Sequence, residues 1–535
     1  MYYRHIIITL LLLMPMASWS QIVICNHEAA YDKENDVWLA TIPETLFGQD
    51  DTLMVNGNKQ VFHHICADSI YTIDKARIQF TFLPVITLKG TFGYDYQEAT
   101  VAISDPEATK DTTYTANIKW RGGTTNAENK HKRNYKIKFN NDVQLFGMRT
   151  DNNWMLDAGQ PDVFRMRNRI AMDLWNDMAR KPYYADEKPN ARNGVSGRMV
   201  ELYVNNEYMG IYNLSEFMDR KQMKLKKVDE LTGQIHGCMY KGINWDHTQM
   251  FYEIPEYDNT KETLYGFEVE YPELNDCDTT EWAPLVKAIN FAAVHDEKGF
   301  MMHANDYFDL TVMIDYSIFN SIVNAIDNSG KNMFWAVYDK TVSQRLTPAP
   351  WDLDATFGQR WGGTLVGGEV DITSPAYMTD VDVMAFFYLY KTNLDGFNDQ
   401  INTRYRELHQ PGGVLSTDSI IGRFTYYYNL IKKSGAARRE TQKWSGDSDV
   451  WGEVIDFDKE YDYICNWVTE HMRIIDETTF PLYYTKEFFE QSTINHPTSN
   501  KRHGALYNLK GQRIDNSKDI KPGIYIKNGR KFVVH

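Results

Sequence analysis

Short runs that alternate apolar with polar residues dominate the first hundred positions. Ile78 to Phe82 and Val85 to Leu88 have the period-two pattern of strands and are punctuated by Gly90 and Gly93. Ala99 to Ser104 reads as the last strand of the group. Asp105 to Asp111 is rich in turn residues and reads as a linker. Residues 21–105 are therefore expected to form a small β-domain.

The pattern changes after residue 113. Tyr114 to Trp120 and Tyr135 to Phe139 alternate as strands, and the polar loop Arg121-Gly-Gly-Thr-Thr lies between them. Phe164, Ile170, Leu174 and Met178 recur at helical spacing, so a helix is expected over residues 164–178. Val200 to Val204, the turn pair Asn205-Asn206 and Met209 to Leu214 read as a hairpin. Asp306 to Ala325 reads as a long apolar helix, and Met333 to Tyr338 with Arg345 to Pro348 as a second hairpin. This mixed block is assigned residues 113–410, followed by a polar helical extension at 411–485 that holds Trp444 and Trp451 in connectors. Asn495 to Arg502 reads as a linker, and residues 500–535 as a compact β-module built from Ala505 to Arg513 and Pro522 to Val534. The fold class is α+β.

The N-terminus carries a different signal. Arg4 and His5 precede the apolar run Ile6 to Met16, and Ala17, Ser18 and Ser20 offer a cleavage site before Gln21. The run is short for a bilayer span. Residues 1–20 are read as a signal peptide, and the chain as exported to the periplasm, the cell surface or the medium. Five cysteines, Cys25, Cys66, Cys238, Cys277 and Cys465, lack zinc spacing. Export permits a Cys25–Cys66 bridge, whereas scattered thiols are the plainer reading.

Net charge then narrows the partners. The chain has 535 residues, a formal charge of −15 and a pI near 5.5, which opposes broad binding to a nucleic-acid backbone. Basic residues nevertheless cluster in Lys130, His131, Lys132, Arg133, Lys136 and Lys138. Such a run is commonly a solvated face, but on an acidic protein it also suits an anion pocket.

Three segments carry candidate chemistry. Asp327 and Asn332 stand at the two ends of a loop between a helix and a strand, where one can accept a proton and the other can offer an amide oxygen to a cation. Asp352 and Asp354 follow a strand at alternate positions, and two hard oxygen ligands suit Mg²⁺ or Mn²⁺. Arg121 and the Lys130–Lys138 segment supply donors for phosphate oxygens. Each segment also has a plain reading. Asp327-Asn-Ser-Gly is good turn chemistry, and Lys136 and Lys138 alternate with apolar residues as an exposed strand face does.

Four stretches together resemble the spore coat protein H-type (CotH) family of atypical protein kinases. Arg121-Gly-Gly-Thr-Thr with Lys132-Arg-Asn-Tyr-Lys-Ile-Lys-Phe resembles its loop and lysine-bearing strand. Asp162 to Ala171 resembles its following helix, and Val200 to Glu216 its central hairpin. Asp327 to Asn332 with Pro350-Trp-Asp-Leu-Asp-Ala-Thr-Phe-Gly resembles its catalytic loop and metal segment. The resemblance implies an atypical kinase-like core, flanked by the N-terminal β-domain and the C-terminal β-module. It implies ATP and Mg²⁺ or Mn²⁺ as cofactors, and Asp327 as the catalytic aspartate. Asn332, Asp352 and Asp354 would serve the metal, Arg121, Lys136 and Lys138 the phosphates, and Glu216 would lie near the nucleotide. Ser329 and Gly330 stand where Arg or His is expected beside the catalytic aspartate.

The implied activity is phosphoryl transfer from ATP to Ser or Thr of a protein substrate. A catalytically silent surface scaffold is the alternative, supported by the flanking β-modules. A carbohydrate-active enzyme with paired carboxylates is the weaker one. Tyr507 to Arg513 and Lys521 to Ile526 resemble the sorting or surface modules of exported Bacteroidetes proteins, which implies a partner at the cell surface or in the secretion machinery.

Overall fold

The computed structural model describes residues 21–294, 297–360, 363–370 and 383–479, together with four C-terminal strands. The expected signal peptide and the linker at 495–502 lie outside the described residues. The chain forms two compact units: residues 1–158, 198–214 and 429–454 make one, and the remainder makes the other. Helices and strands are both abundant, as expected for an α+β protein.

The first unit begins with two small four-stranded sheets that share a core of Ile24, Trp38, Leu53, Phe62 and Phe80. Val85–Gly90 and Gln97–Ser104 do not belong to either sheet. They close a seven-stranded barrel with Thr112–Arg121, Asn134–Gln144, Thr150–Asp157, Gly197–Val204 and Glu207–Glu216. The boundary read at residue 105 therefore falls inside a hydrogen-bonded sheet, where Ala99 faces Ala116 and Val101 faces Tyr114. Asp105 to Asp111 is a hairpin connection and not an interdomain linker. Local turn chemistry cannot distinguish the two, because both need the same residues. Inside the barrel, Ile118, Tyr135, Ile137, Phe139, Trp154 and Leu156 interlock. This inward set fixes the register, since a one-residue slip would turn every apolar side chain outward.

The helix Ala436–Trp444 belongs to the same unit. Its Arg439 makes a double hydrogen bond to Glu201, at 2.8 Å on each arm, with both side chains buried. Trp444 is buried and donates its indole N–H to the Met209 carbonyl, so it is a packing residue and not part of a wet connector. The five cysteines are free thiols.

The second unit is built around a five-stranded sheet in the order Thr263–Leu264, Phe267–Tyr271, Cys238–Gly242, Met333–Val337, Thr347–Pro350. The helix expected from residue 164 begins at Arg167. The Asp162 carboxylate accepts from the N–H groups of Phe164 and Arg167, which holds the intervening residues in a turn. The helix expected over 306–325 is Leu310–Val323. Asp309 caps its first turn, and Asn324 ends it in the left-handed region at φ 49°. In the C-terminal module, Arg513–Ile514, Leu506–Asn508, Gly523–Lys527 and Arg530–Val534 form an antiparallel sheet in that order.

Candidate active site

Asp327 lies just past the C-terminal end of the helix Leu310–Val323. Its Oδ2 accepts from Lys331 Nζ at 2.8 Å and from Asn332 Nδ2 at 3.0 Å. The two expected ends of the loop are therefore in direct contact. Because the Asn332 nitrogen is spent on Asp327, its amide oxygen is the atom left to offer elsewhere. The positive neighbour that Ser329 and Gly330 lack is supplied by Lys331.

Asn328 connects this loop to the second acidic segment. It is fully buried, and its Nδ2 donates to the Asn332 carbonyl at 3.1 Å and to the Trp351 carbonyl at 2.6 Å. The Trp351 N–H in turn donates to the Asn332 carbonyl at 3.0 Å. Met333 pairs with Pro350, so Asn332 and Trp351 are the residues flanking one end of a two-stranded ladder. Asp352 follows at once, with an exposed side chain and φ 56°. Asp354 is half-buried. Three further bonds hold the frame. Tyr316 donates its hydroxyl to the Asn328 carbonyl, Phe357 N–H to the Val323 carbonyl, and Leu353 N–H to Asn168 Oδ1.

Asn324, Asn332 and Asp352 all adopt the left-handed conformation, and so does Phe357 at φ 48°. Asn and Asp tolerate that region, whereas a bulky Phe does so only under tertiary constraint. Such residues concentrate where the surroundings over-determine the backbone, as at catalytic segments.

Among the described residues, no three His, Cys, Asp or Glu side chains are grouped to hold an ion. Asp327, Asp352 and Asp354 thus do not form an all-protein acidic cage. Mg²⁺ does not require one, because it is commonly bound by one or two carboxylates together with phosphate oxygens and water. Asn332, Asp352 and Asp354 provide an amide and two carboxylates of that kind.

Glu216 is fully buried. Its carboxylate accepts from Arg192, from the Ser196 N–H at 2.8 Å and from Gln222. These bonds tie the segment 192–196 to the end of the strand Glu207–Glu216.

The basic run divides in the barrel unit. Lys130 pairs with Asp449, His131 with Asp447, and buried Lys132 with Glu440. Arg133 lies over the Trp120 ring at 4.2 Å and donates to the carbonyls of Asn126 and Glu128. These four residues hold loops together, so the run is not one continuous anion patch. Lys136 and Lys138 alternate with buried Tyr135, Ile137 and Phe139 and lie on the outer face of the barrel, Lys136 half-buried and Lys138 exposed. Lys136 faces Lys119 across the ladder, and Arg121, in contact with the Met155 sulfur, ends the neighbouring strand.

A helix-to-strand loop bearing a clamped aspartate is thus tied to an Asp-x-Asp segment at the end of the next hairpin. Residues 118–475, well over half the chain, match the family model described as CotH kinase protein, and the chain belongs to that family. The match extends through Thr417–Lys433 and Phe457–Ile474, the helices expected to form a separate extension. Membership of a kinase-like family implies ATP and a divalent metal as cofactors. No curated protein matches the chain.

Asn328 and Lys331 were not singled out from the sequence. The only signal for Lys331 was its place between Asp327 and Asn332. Asn328 looked like ordinary turn chemistry, because the acceptor that gives it a wider role, the Trp351 carbonyl, lies 23 positions away.

Proposed function

We propose that the chain is an exported protein kinase that transfers the terminal phosphate of ATP to a Ser or Thr hydroxyl of a protein. The observation that carries this reading is the Asp327 carboxylate, gripped by Lys331 and Asn332 on a loop that Asn328 ties to the strand end bearing Asp352. In the reaction Asp327 orients the acceptor hydroxyl and takes its proton as the oxygen bonds to phosphorus and the bond to the ADP oxygen breaks. Asn332, Asp352 and Asp354 would hold Mg²⁺ or Mn²⁺, which when bound offsets charge on the phosphate oxygens.

The test is incubation of the purified chain with labelled ATP and either metal, beside Asp327→Ala and Asp352→Ala. Transfer by the parent chain and none by the variants is expected. Absence of nucleotide binding under every metal condition would overturn the kinase reading, and label retained by both variants would overturn the assignments. The phosphate contacts proposed for Arg121, Lys136 and Lys138 are tested separately, by the nucleotide affinity of their alanine variants.

The Lys331 ion pair supports a second reading, a silent scaffold, since it engages the carboxylate that would meet an acceptor hydroxyl. Nucleotide binding without transfer identifies that case. Export rests on the sequence from Arg4 to Ser20, and a mature chain beginning at Gln21 would support it. The C-terminal module is proposed to engage the cell surface or the secretion machinery.

A further inference from the structure

Gln249 lies in the connection between the strands Cys238–Gly242 and Thr263–Leu264 and is fully buried. Neither its amide oxygen nor its amide nitrogen has a hydrogen-bond partner. A buried amide left unpaired destabilises a fold, and its retention calls for an explanation.

Its surroundings suggest one. A Cβ on Gly330 would lie 3.2 Å from Gln249 Nε2 and 2.4 Å from Met250 Sδ. A Cβ on Gly242 would lie 2.6 Å from Gln249 Nε2 and 2.4 Å from the Gly330 carbonyl oxygen. The amide and that carbonyl therefore flank the same point, and two glycines let the segments approach. Gln249 itself is held in place. Met250 N–H donates to the Asp246 carbonyl and Phe251 N–H to that of Thr248, and the buried Phe251 ring packs 5.6 Å from Trp335. Gly330 sits on the loop that carries Asp327, and with no side chain there its peptide group lies open to the Gln249 amide.

We propose that Gln249 is a positioning residue for the Asp327 loop, its amide taking up the Gly330 peptide group as the loop seats for reaction. The catalytic part of this inference rests on the kinase reading, but the seating of the loop does not.

The experiment compares the full chain with Gln249→Met, which keeps the volume and removes the amide. Phe251→Leu serves as a packing control. Three quantities are read: the thermal midpoint, hydrogen exchange at residues 329–332, and kcat against KM for ATP in the labelled assay. The expected result for Gln249→Met is an unchanged or higher midpoint with severalfold faster exchange at Gly330 and Lys331. Its kcat should fall at least tenfold with KM for ATP unchanged. Phe251→Leu should lower the midpoint without that selective change in exchange. Unchanged exchange at 329–332 in Gln249→Met would overturn the proposal whether or not the chain transfers phosphate. If the parent chain binds no nucleotide, the kinase reading fails alone, and exchange with the midpoint still decides for or against Gln249.

Discussion

Asn328 donates its buried side-chain amide to the carbonyl of Trp351 at 2.6 Å, across 23 positions of sequence. That bond joins the segment holding Asp327 to the one holding Asp352. Asn328→Leu would leave the Trp351 carbonyl without this donor inside the protein. We expect a loss of about 2 kcal/mol, read as a lower urea midpoint. Phosphoryl transfer should fall more steeply than stability alone accounts for.

Asp327→Asn keeps the shape of the loop and removes the proton acceptor. Transfer is expected to drop by about 10²–10⁴-fold, the range for losing a general base. Nucleotide affinity should stay near that of the parent chain. A parallel loss of affinity would mean that Asp327 acts through the nucleotide instead of the acceptor.

Arg167 is fully buried and bonds the carboxylates of Asp162 and Glu460, each at 2.6 Å. Burial opposes the guanidinium charge, but the two carboxylates outweigh it and raise its pKa above the ordinary value. Arg167→Met would strand two buried acids. The expected cost is about 3–5 kcal/mol, measured by chemical unfolding. Restoring neutrality with Asp162→Asn and Glu460→Gln in the same chain should recover part of it.

His471 is buried against Trp467, with ring centroids 4.2 Å apart, and its Nε2 lies 2.8 Å from the Ser321 carbonyl. Burial lowers its pKa from 6.5 to about 4, against the opposing pull of the Ser321 and Ile322 carbonyls. The unfolded chain therefore binds the proton more readily between those values, so stability falls as pH drops from about 6.5 to about 4. The full swing is about 3 kcal/mol. His471→Phe should flatten that part of the stability profile, as recorded by thermal unfolding across the pH range.

Much of this protein was legible without coordinates. Alternation at Tyr135, Ile137 and Phe139 identified a strand and its buried face. Asn205-Asn206 marked a hairpin, and turn chemistry placed Asp327 and Asn332 at the two ends of one loop, where they meet. These are local properties, set by side-chain period and turn chemistry over a few residues. What tertiary structure alone decided were relationships between distant segments. The barrel took in Val85–Gly90 and Gln97–Ser104 because a sheet closes on backbone hydrogen bonds, which any sequence can supply. The basic run lost three of its members to internal acids, and Arg133 to the Trp120 ring and two carbonyls, because charge complementarity acts through space. Asn328 and Gln249 gained their significance from the carbonyls and glycines packed around them, which no spacing along the chain encodes.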